Sequence, residues 1–213
     1  MHPILDALGN KAHVIWDWNG TLLDDVQLCV GVISELLLEQ GKAPLSVEEY
    51  RNKFGFPVVD YYVRLGFDFD RVPFEKVATE FVKRYNERVH SCQLFEGVQD
   101  VLENLRGAGL DQSILSAAKE TDLHFLTDTH GIAEFFAHRF GIADHYAAGK
   151  VARGQELIAE LGGDKGSIVL IGDTDHDAEV AKALGIDALL LTGGHHPIAR
   201  LQATGSPVLS FRL

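Results

Sequence analysis

The segment His13-Val-Ile-Trp-Asp17-Trp-Asn19-Gly20-Thr21-Leu-Leu carries an apolar run that leads directly into a carboxylate and a Gly-Thr turn. A short apolar run bounded by polar residues is typical of a strand that is buried on both faces. Ligands of open α/β sheets bind at the carboxyl ends of the strands, so Asp17 stands where chemistry is expected. On this segment alone, capping and turning the chain is an equally good interpretation of Asp17 and Asn19.

A second segment, Ile168-Val-Leu-Ile171-Gly172-Asp173-Thr-Asp175-His-Asp177, repeats the pattern with three carboxylates in five residues. Crowded carboxylates repel one another, and a hard cation held by oxygen ligands relieves the repulsion. The spacing imitates the start of a calcium loop. However, Ala178 stands where that loop requires glycine, and Leu184 stands where it requires glutamate. An acidic helix start, favoured by the helix dipole, is the alternative.

Two further apolar runs, Ser113–Leu115 and Ala188–Leu191, have the same strand character. Helical patterns separate the runs, with apolar residues three and four apart, for example Val98, Val101 and Leu105. Strands that alternate with helices of this length are typical of β-α units around a parallel sheet. We therefore predict an α/β fold with a three-layer, Rossmann-like core.

The segment from Val26 to Val89 interrupts this alternation, because it contains helical patterns and no convincing strand. One amphipathic stripe precedes Gly41, a second follows Pro73, and two shorter helices are expected between them. A helical block of this length is too long for a connection. We predict that residues 25–90 form a helical cap, and that residues 1–24 and 91–213 form the core domain.

The composition favours a soluble globular protein. Lys plus Arg number 19 and Asp plus Glu number 31, which gives a formal net charge of −12 over 213 residues. This charge argues against a nucleic-acid partner, which needs a basic face. The chain has no run long enough for a membrane helix and no signal-peptide pattern at its start, so we expect a cytoplasmic protein. Cys29 and Cys92 are expected as reduced thiols, with a single disulfide left open.

Two further residues gain significance only from their order in the chain. Ser116 follows the predicted strand Ser113–Leu115, and Lys150 precedes a predicted helix. The full order, strand-Asp-x-Asn-Gly-Thr, strand-Ser, Lys, strand-Gly-Asp-x-x-x-Asp, resembles the haloacid dehalogenase-like superfamily in all four of its motifs. The helical block after the first motif is similar to that superfamily's C1 cap, so the resemblance covers the whole chain. Within the superfamily, the chain looks most like the phosphoglycolate phosphatase and β-phosphoglucomutase group.

The resemblance implies a reaction and a metal site. Asp17 would be the nucleophile that attacks phosphorus and forms an aspartyl-phosphate. A Mg²⁺ ion would be held by Asp17, Asp173, Asp177 and the backbone carbonyl of Asn19, and it would screen Asp17 from the approaching phosphate. Lys150 would keep Asp17 anionic and add positive charge beside the phosphoryl oxygens.

The resemblance also implies contacts with the substrate. Ser116 and the backbone of Thr21 would hold phosphoryl oxygens. The full set of expected substrate contacts is Gly20, Thr21, Ser116, Ala117, Lys150 and, from the cap, Lys53. Catalysis itself is expected of Asp17, Asn19, Ser116 and Lys150.

Residue 19 departs from the family pattern. Phosphatases of the superfamily usually have Asp two residues after the nucleophile, where it protonates the leaving oxygen and then activates water. An amide can do neither at neutral pH, and general acid–base help is worth about 10²–10⁴-fold. His176, His195 and His196 are candidates for a substitute, although we expect the last two to be surface residues of the loop after Ala188–Leu191.

A Mg²⁺-dependent phosphatase that acts on a small phosphorylated metabolite is the favoured prediction. One alternative is a C–P bond hydrolase similar to phosphonoacetaldehyde hydrolases, which have a small residue at the Asn19 position and use a cap lysine; Lys53 is the candidate. L-2-haloacid dehalogenases are less similar, since they usually have Tyr at that position. The other alternative is a non-catalytic protein that binds a phosphometabolite. The sequence leaves the substrate open, and either a monomer or a homodimer is expected.

Overall fold

A parallel sheet forms the centre of the computed structural model, which describes residues 3–142 and 149–210. The strands in chain order are β1 (His13–Trp16), β2 (Leu23–Asp24), β3 (Gln93–Leu94), β4 (Asp111–Lys119), β5 (His138–Ile142), β6 (Ile168–Gly172), β7 (Asp187–Thr192) and β8 (Val208–Ser210). Six of them form one sheet in the order β5-β4-β1-β6-β7-β8 with every neighbouring pair parallel, and β2 pairs with β3 in a separate antiparallel ribbon. The predicted α/β class with a parallel sheet is confirmed.

Four of the six sheet strands coincide with the predicted runs, and the two edge strands do not. The edge strands β5 and β8 bury few residues completely, so neither carries the continuous apolar run that marks a strand buried on both faces. The predicted end of a strand at Ser116 is wrong. Instead, β4 continues to Lys119, with an irregular register after Leu115.

The position of β1 decides where a ligand can bind. This strand lies between β4 and β6, so the chain order reverses on either side of it. Trp16 is level with Ile114 of β4 and with Ile171 of β6. Asp17 and Asp173, which follow β1 and β6, therefore meet at the carboxyl edge of the sheet, at a topological switch point.

The described residues form ten α-helices: α1 (Pro3–Leu8), α2 (Val26–Glu39), α3 (Val47–Lys53), α4 (Val58–Arg64), α5 (Phe74–Arg88), α6 (Val98–Gly107), α7 (Glu120–Thr129), α8 (Lys150–Leu161), α9 (Asp175–Leu184) and α10 (Ile198–Gln202). Apolar residues of α1, α6 and α7 pack on one face of the sheet, and those of α8 and α9 pack on the other. This arrangement gives three layers. Within this described part of the chain, each helix is too short or too polar to cross a bilayer.

Helices α2 to α5 pack around an apolar cluster of their own. Ile33 of α2, Tyr61 of α4 and Val77 of α5 are buried in it, apart from the clusters on the two faces of the sheet. Residues 26–88 contain helices and no strand. The division of the chain into core and cap at residues 24/25 and 90/91 stays a prediction. Cys29 and Cys92 are both free thiols, so the disulfide that the sequence left open is not formed.

Candidate active site

The predicted nucleophile Asp17 lies at the carboxyl end of β1 and contacts a buried lysine. Its backbone N–H donates to the Ile171 carbonyl at 2.8 Å, which continues the parallel ladder up to the carboxylate. Lys150, the first residue of α8, has its Nζ 2.5 Å from Asp17 Oδ1 and 2.6 Å from Asp177 Oδ1. Asp17 and Lys150 are each only 7% exposed, so the contact is shielded from water. The fold thus joins residues that are 133 positions apart in the sequence.

Asp173 completes the acidic centre from the position after β6. The side chain is fully buried, and both of its oxygens accept hydrogen bonds from other segments. Thr21 Oγ1 donates to Asp173 Oδ1 at 2.9 Å, and the backbone N–H of His195 donates to Asp173 Oδ2 at 2.5 Å. These donors orient the carboxylate between the first motif and the loop that follows β7.

Asp177 serves both the acidic centre and the start of α9. Its Oδ2 accepts hydrogen bonds from the Thr174 hydroxyl at 2.6 Å and from the Thr174 backbone N–H at 3.0 Å, as part of a capping box. Its Oδ1 accepts from Lys150. The interpretation of this segment as an acidic helix start is therefore correct for α9, and the other oxygen of Asp177 faces the acidic centre.

Three carboxylates lie close together in this centre, and the Lys150 ammonium contacts two of them, Asp17 and Asp177. Ligand oxygens of Asp17, Asp173 and Asp177 lie within 4.8 Å of one another. Burial and repulsion between the carboxylates raise the pKa of Asp17 to about 7 against the opposing effect of Lys150, and burial raises the pKa of Asp173 to about 6. Burial also acts to raise the pKa of Asp177, but Lys150 holds it below its usual range. The excess negative charge and the all-oxygen donor set fit a hard divalent cation.

The predicted substrate contacts of the first two motifs differ in burial. Ser116 is buried, and its Oγ accepts from the backbone N–H of Ala118 at 3.0 Å, whereas Ala117 is exposed.

Gly20 has a φ of +72°, and a Cβ at this position would collide with the His195 ring. Both the backbone conformation and the close approach of the ring require glycine there.

Two other candidates, Lys53 and His176, have their described contacts outside the acidic centre. Lys53 is the half-buried last residue of α3, and its backbone carbonyl accepts from Arg64 Nε at 3.1 Å. His176 lies on α9 with Nδ1 3.2 Å from Glu179 Oε2, and its ring lies 4.7 Å from the Phe56 ring. These contacts give no support to a catalytic task for either side chain.

Helix α3 covers the loop that follows β7, so the expectation of surface histidines at positions 195 and 196 is wrong. His195 is 5% exposed and His196 is 1% exposed. Arg51 of α3 donates from Nε to the Gly194 carbonyl at 2.7 Å. The centroid of the Phe54 ring lies 5.3 Å from that of His195 and 5.8 Å from that of His196. The helix was predictable, but its placement on this loop is a tertiary contact that no local pattern encodes.

Both ring nitrogens of His195 are engaged. Nδ1 lies 2.9 Å from the Tyr50 hydroxyl, and Nε2 lies 3.2 Å from Asp25 Oδ1. Burial opposes the protonation of His195, but its contact with Asp25 raises the pKa to about 9. Burial lowers the pKa of His196 to about 4, and its Nδ1 accepts from the backbone N–H of Asp175 at 3.1 Å. His195 is thus a buried partner of other polar groups and not a free proton donor.

Asp25 is a residue of this region that the sequence patterns did not identify. It is 1% exposed and accepts hydrogen bonds from Asn19 Nδ2 at 2.9 Å, from the Gly20 N–H at 3.0 Å and from the Tyr85 hydroxyl at 2.7 Å. A signal was present, because Asp25 follows the first motif directly as the second member of an Asp-Asp pair. Tyr50 and Tyr85 carry no such signal, since each is an ordinary tyrosine within a helical segment.

The chain is similar to proteins of one family along most of its length. It matches the family model described as haloacid dehalogenase-like hydrolase over residues 14–191. The phosphoglycolate phosphatase of Pseudomonas putida is 27% identical over 192 residues, which are 86% of this chain and 70% of that protein. That of Caulobacter vibrioides is 28% identical over 205 residues, which are 91% and 85%. A haloacid dehalogenase-like hydrolase of Streptococcus pneumoniae shares the fold with a TM-score of 0.81 at 19% identity, over 95% of both chains. Since the family match includes the segments that carry Asp17 and Asp173, the chain belongs to the haloacid dehalogenase-like hydrolase family.

Proposed function

We propose that the protein is a Mg²⁺-dependent phosphatase that hydrolyses a small phosphorylated metabolite through an aspartyl-phosphate. The observation that carries the proposal is the buried cluster of Asp17, Lys150, Asp173 and Asp177. It offers a nucleophile, a compensating ammonium and a set of oxygen ligands in one place. The relatives named phosphoglycolate phosphatase support the substrate class, so 2-phosphoglycolate is the first substrate to test.

In the proposed first step, an oxygen of Asp17 attacks phosphorus, and the bond from phosphorus to the ester oxygen breaks. The alcohol part leaves with the bonding electron pair on its oxygen, which then takes a proton from water. Lys150 compensates the charge of Asp17 and Asp177, which lets a phosphate dianion approach. Thr21 and Ser116 are proposed to contact the phosphoryl oxygens. In the second step, water attacks the phosphorus atom of the aspartyl-phosphate and releases inorganic phosphate and the free carboxylate.

Mg²⁺ is proposed to be held by Asp17, Asp173, Asp177 and the backbone carbonyl of Asn19, where its charge would offset that of the phosphate. The raised pKa values of Asp17 and Asp173 support a cation at this position. A nearby positive charge favours the ionised form of a carboxylate, so a bound ion would relieve the cost of burying these groups together.

The cap is proposed to lie over the substrate and to exclude water during phosphoryl transfer. Tyr50 and Arg51 support this, because their contacts with His195 and Gly194 hold α3 against the core above the acidic centre. Cap residues 53–62 follow this contact and are proposed to select the substrate.

A turnover screen tests the proposal. The purified protein is assayed with 2-phosphoglycolate, p-nitrophenyl phosphate, alkyl phosphomonoesters and phosphonoacetaldehyde, with MgCl₂ and with EDTA. The proposal is supported if phosphate is released from an ester, if this release requires the divalent cation, and if it disappears in Asp17→Asn. Asp100→Asn, the same replacement on the exposed surface of α6, is the control and should keep full activity.

Two outcomes would overturn the proposal. Binding of phosphorylated metabolites without turnover of any of them would favour the non-catalytic binding protein. Cleavage of phosphonoacetaldehyde alone, lost in Lys53→Ala, would favour C–P bond hydrolysis by a cap lysine.

A further inference from the structure

The side chain of Asn19 is held by a buried carboxylate from the start of the cap. Asn19 Nδ2 lies 2.9 Å from Asp25 Oδ2 and 2.6 Å from the Tyr85 hydroxyl, and this hydroxyl also donates to Asp25 Oδ2 at 2.7 Å. An ionised carboxylate only accepts hydrogen bonds, so the nitrogen of the amide, and not its oxygen, faces Asp25. The three groups form a closed triangle two residues beyond the proposed nucleophile.

The surroundings of Asp25 favour its ionised form. Besides Asn19 and Tyr85, it accepts from the backbone N–H of Gly20 at 3.0 Å and lies 3.2 Å from His195 Nε2. Hydrogen bonds that are donated to a carboxylate favour its ionised form. Asn19, Gly20 and Tyr85 all donate to this carboxylate.

An aspartate at position 19 would conflict with this arrangement. It would place a carboxylate oxygen where Nδ2 now stands, 2.9 Å from Asp25 Oδ2. Two buried carboxylates at such a distance repel each other, and neither can donate a hydrogen bond to the other. The nearly equal size of Asn and Asp does not help, because the conflict is one of charge and hydrogen bonding.

We propose that Asp25 is a positioning residue for Asn19, and that the two form a matched pair in which Asp25 requires a hydrogen-bond donor at position 19. The expected effect on turnover rests on the proposed function, because it concerns a residue beside the proposed nucleophile. Asn19 and Asp25 then form one hydrogen-bonding unit. A carboxylate fits at position 19 only when the charge at position 25 is removed.

A double-mutant cycle tests the pair. Wild type, Asn19→Asp, Asp25→Asn and the double variant are compared for Tm and for turnover of p-nitrophenyl phosphate. Asn19→Asp alone should lower both Tm and kcat. Asp25→Asn alone should lower kcat by about 10- to 100-fold with little change in KM, because a displaced residue 19 disturbs the reacting group more than substrate binding. In the double variant, the amide at position 25 can donate to the carboxylate at position 19. This variant should therefore recover at least half of the decrease in Tm caused by Asn19→Asp, and most of the decrease in kcat.

Asp100→Asn, the acid-to-amide replacement on the exposed face of α6, is the matched control and should leave Tm and kcat unchanged. If Asp25→Asn does not fold, Asp25→Ser completes the same cycle, because its hydroxyl can donate to the new carboxylate. Single effects that simply add in the double variant would overturn the proposal, and so would an Asn19→Asp variant as stable and active as wild type. If the protein is active and the two substitutions are coupled in their effect on Tm but not in their effect on kcat, the positioning role is overturned. Since Tm needs no substrate, the cycle is decided separately from the proposed function.

Discussion

Replacement of Lys150 by methionine tests how the acidic centre is held together. The Lys150 ammonium lies 2.5 Å from Asp17 Oδ1 and 2.6 Å from Asp177 Oδ1, and all three residues are buried. Methionine keeps most of the volume and removes the charge. Two buried carboxylates then lose their partner, and removing one member of a buried ion pair costs about 3–5 kcal/mol.

The expected loss of stability depends on pH. In a chain of this size, a loss of about 1 kcal/mol in the free energy of unfolding lowers Tm by roughly 2–4 °C. Tm should therefore fall by about 6–20 °C at pH 8. Burial and the neighbouring carboxylates already raise the pKa of Asp17 to about 7, and removal of Lys150 raises it further. At pH 5 the folded variant therefore carries a proton on Asp17, and the loss of Tm should be clearly smaller.

Thermal unfolding followed by circular dichroism at pH 5 and pH 8, with EDTA present, measures this effect. Turnover of p-nitrophenyl phosphate with MgCl₂ should fall by about 10²–10³-fold, the value of one positioned group beside a developing negative charge. Lys182→Met, which removes an exposed lysine of α9, is the control. A loss of Tm no larger than in this control, or an equal loss at both pH values, would refute the idea that Lys150 compensates the buried carboxylates.

Three further results are expected. Asp173→Ala should weaken Mg²⁺ binding measured by calorimetry, and full wild-type turnover after exhaustive chelation would contradict the metal site. The pKa of Asp17 is raised to about 7 and that of His195 to about 9, so both groups bind protons more tightly in the folded protein than in the unfolded one. The stability of the metal-free protein should therefore fall as pH rises from 7 to 9, where His196 is neutral in the folded and the unfolded protein. Mg²⁺ should raise Tm more at pH 8 than at pH 5.5, because it binds ionised carboxylates; a Tm that rises between pH 7 and pH 9 would disprove this assignment. Because Asn19 cannot protonate a leaving oxygen, p-nitrophenyl phosphate should react faster than alkyl phosphates of similar fit, and equal rates would indicate another proton donor.

The central strands and the carboxylates at their ends could be predicted from the sequence. Strands β1 and β6 are buried along their whole length, so each appears in the chain as a continuous apolar run. The positions of Asp17 and Asp173 then follow, because parallel strands present their carboxyl ends at one edge of the sheet. The edge strands β5 and β8 could not be found in this way, since their partial exposure removes the continuous run.

The surroundings of Asn19 depend on contacts between distant parts of the chain. The polar groups around it come from four separate segments and belong to Asp25, Tyr50, Tyr85 and His195. Their hydrogen bonds join the first motif to α3, to α5 and to the loop after β7. A hydrogen bond between distant segments leaves no periodicity in a sequence, and a histidine in a glycine-rich loop is buried only when a helix packs over it. Which residue types stand at the ends of the buried strands can be read from the chain alone. The packing of α3 and α5 against the first motif and the loop after β7 withdraws polar groups from water. Burial and neighbouring charges then set the protonation of each group and the chemistry that it can perform.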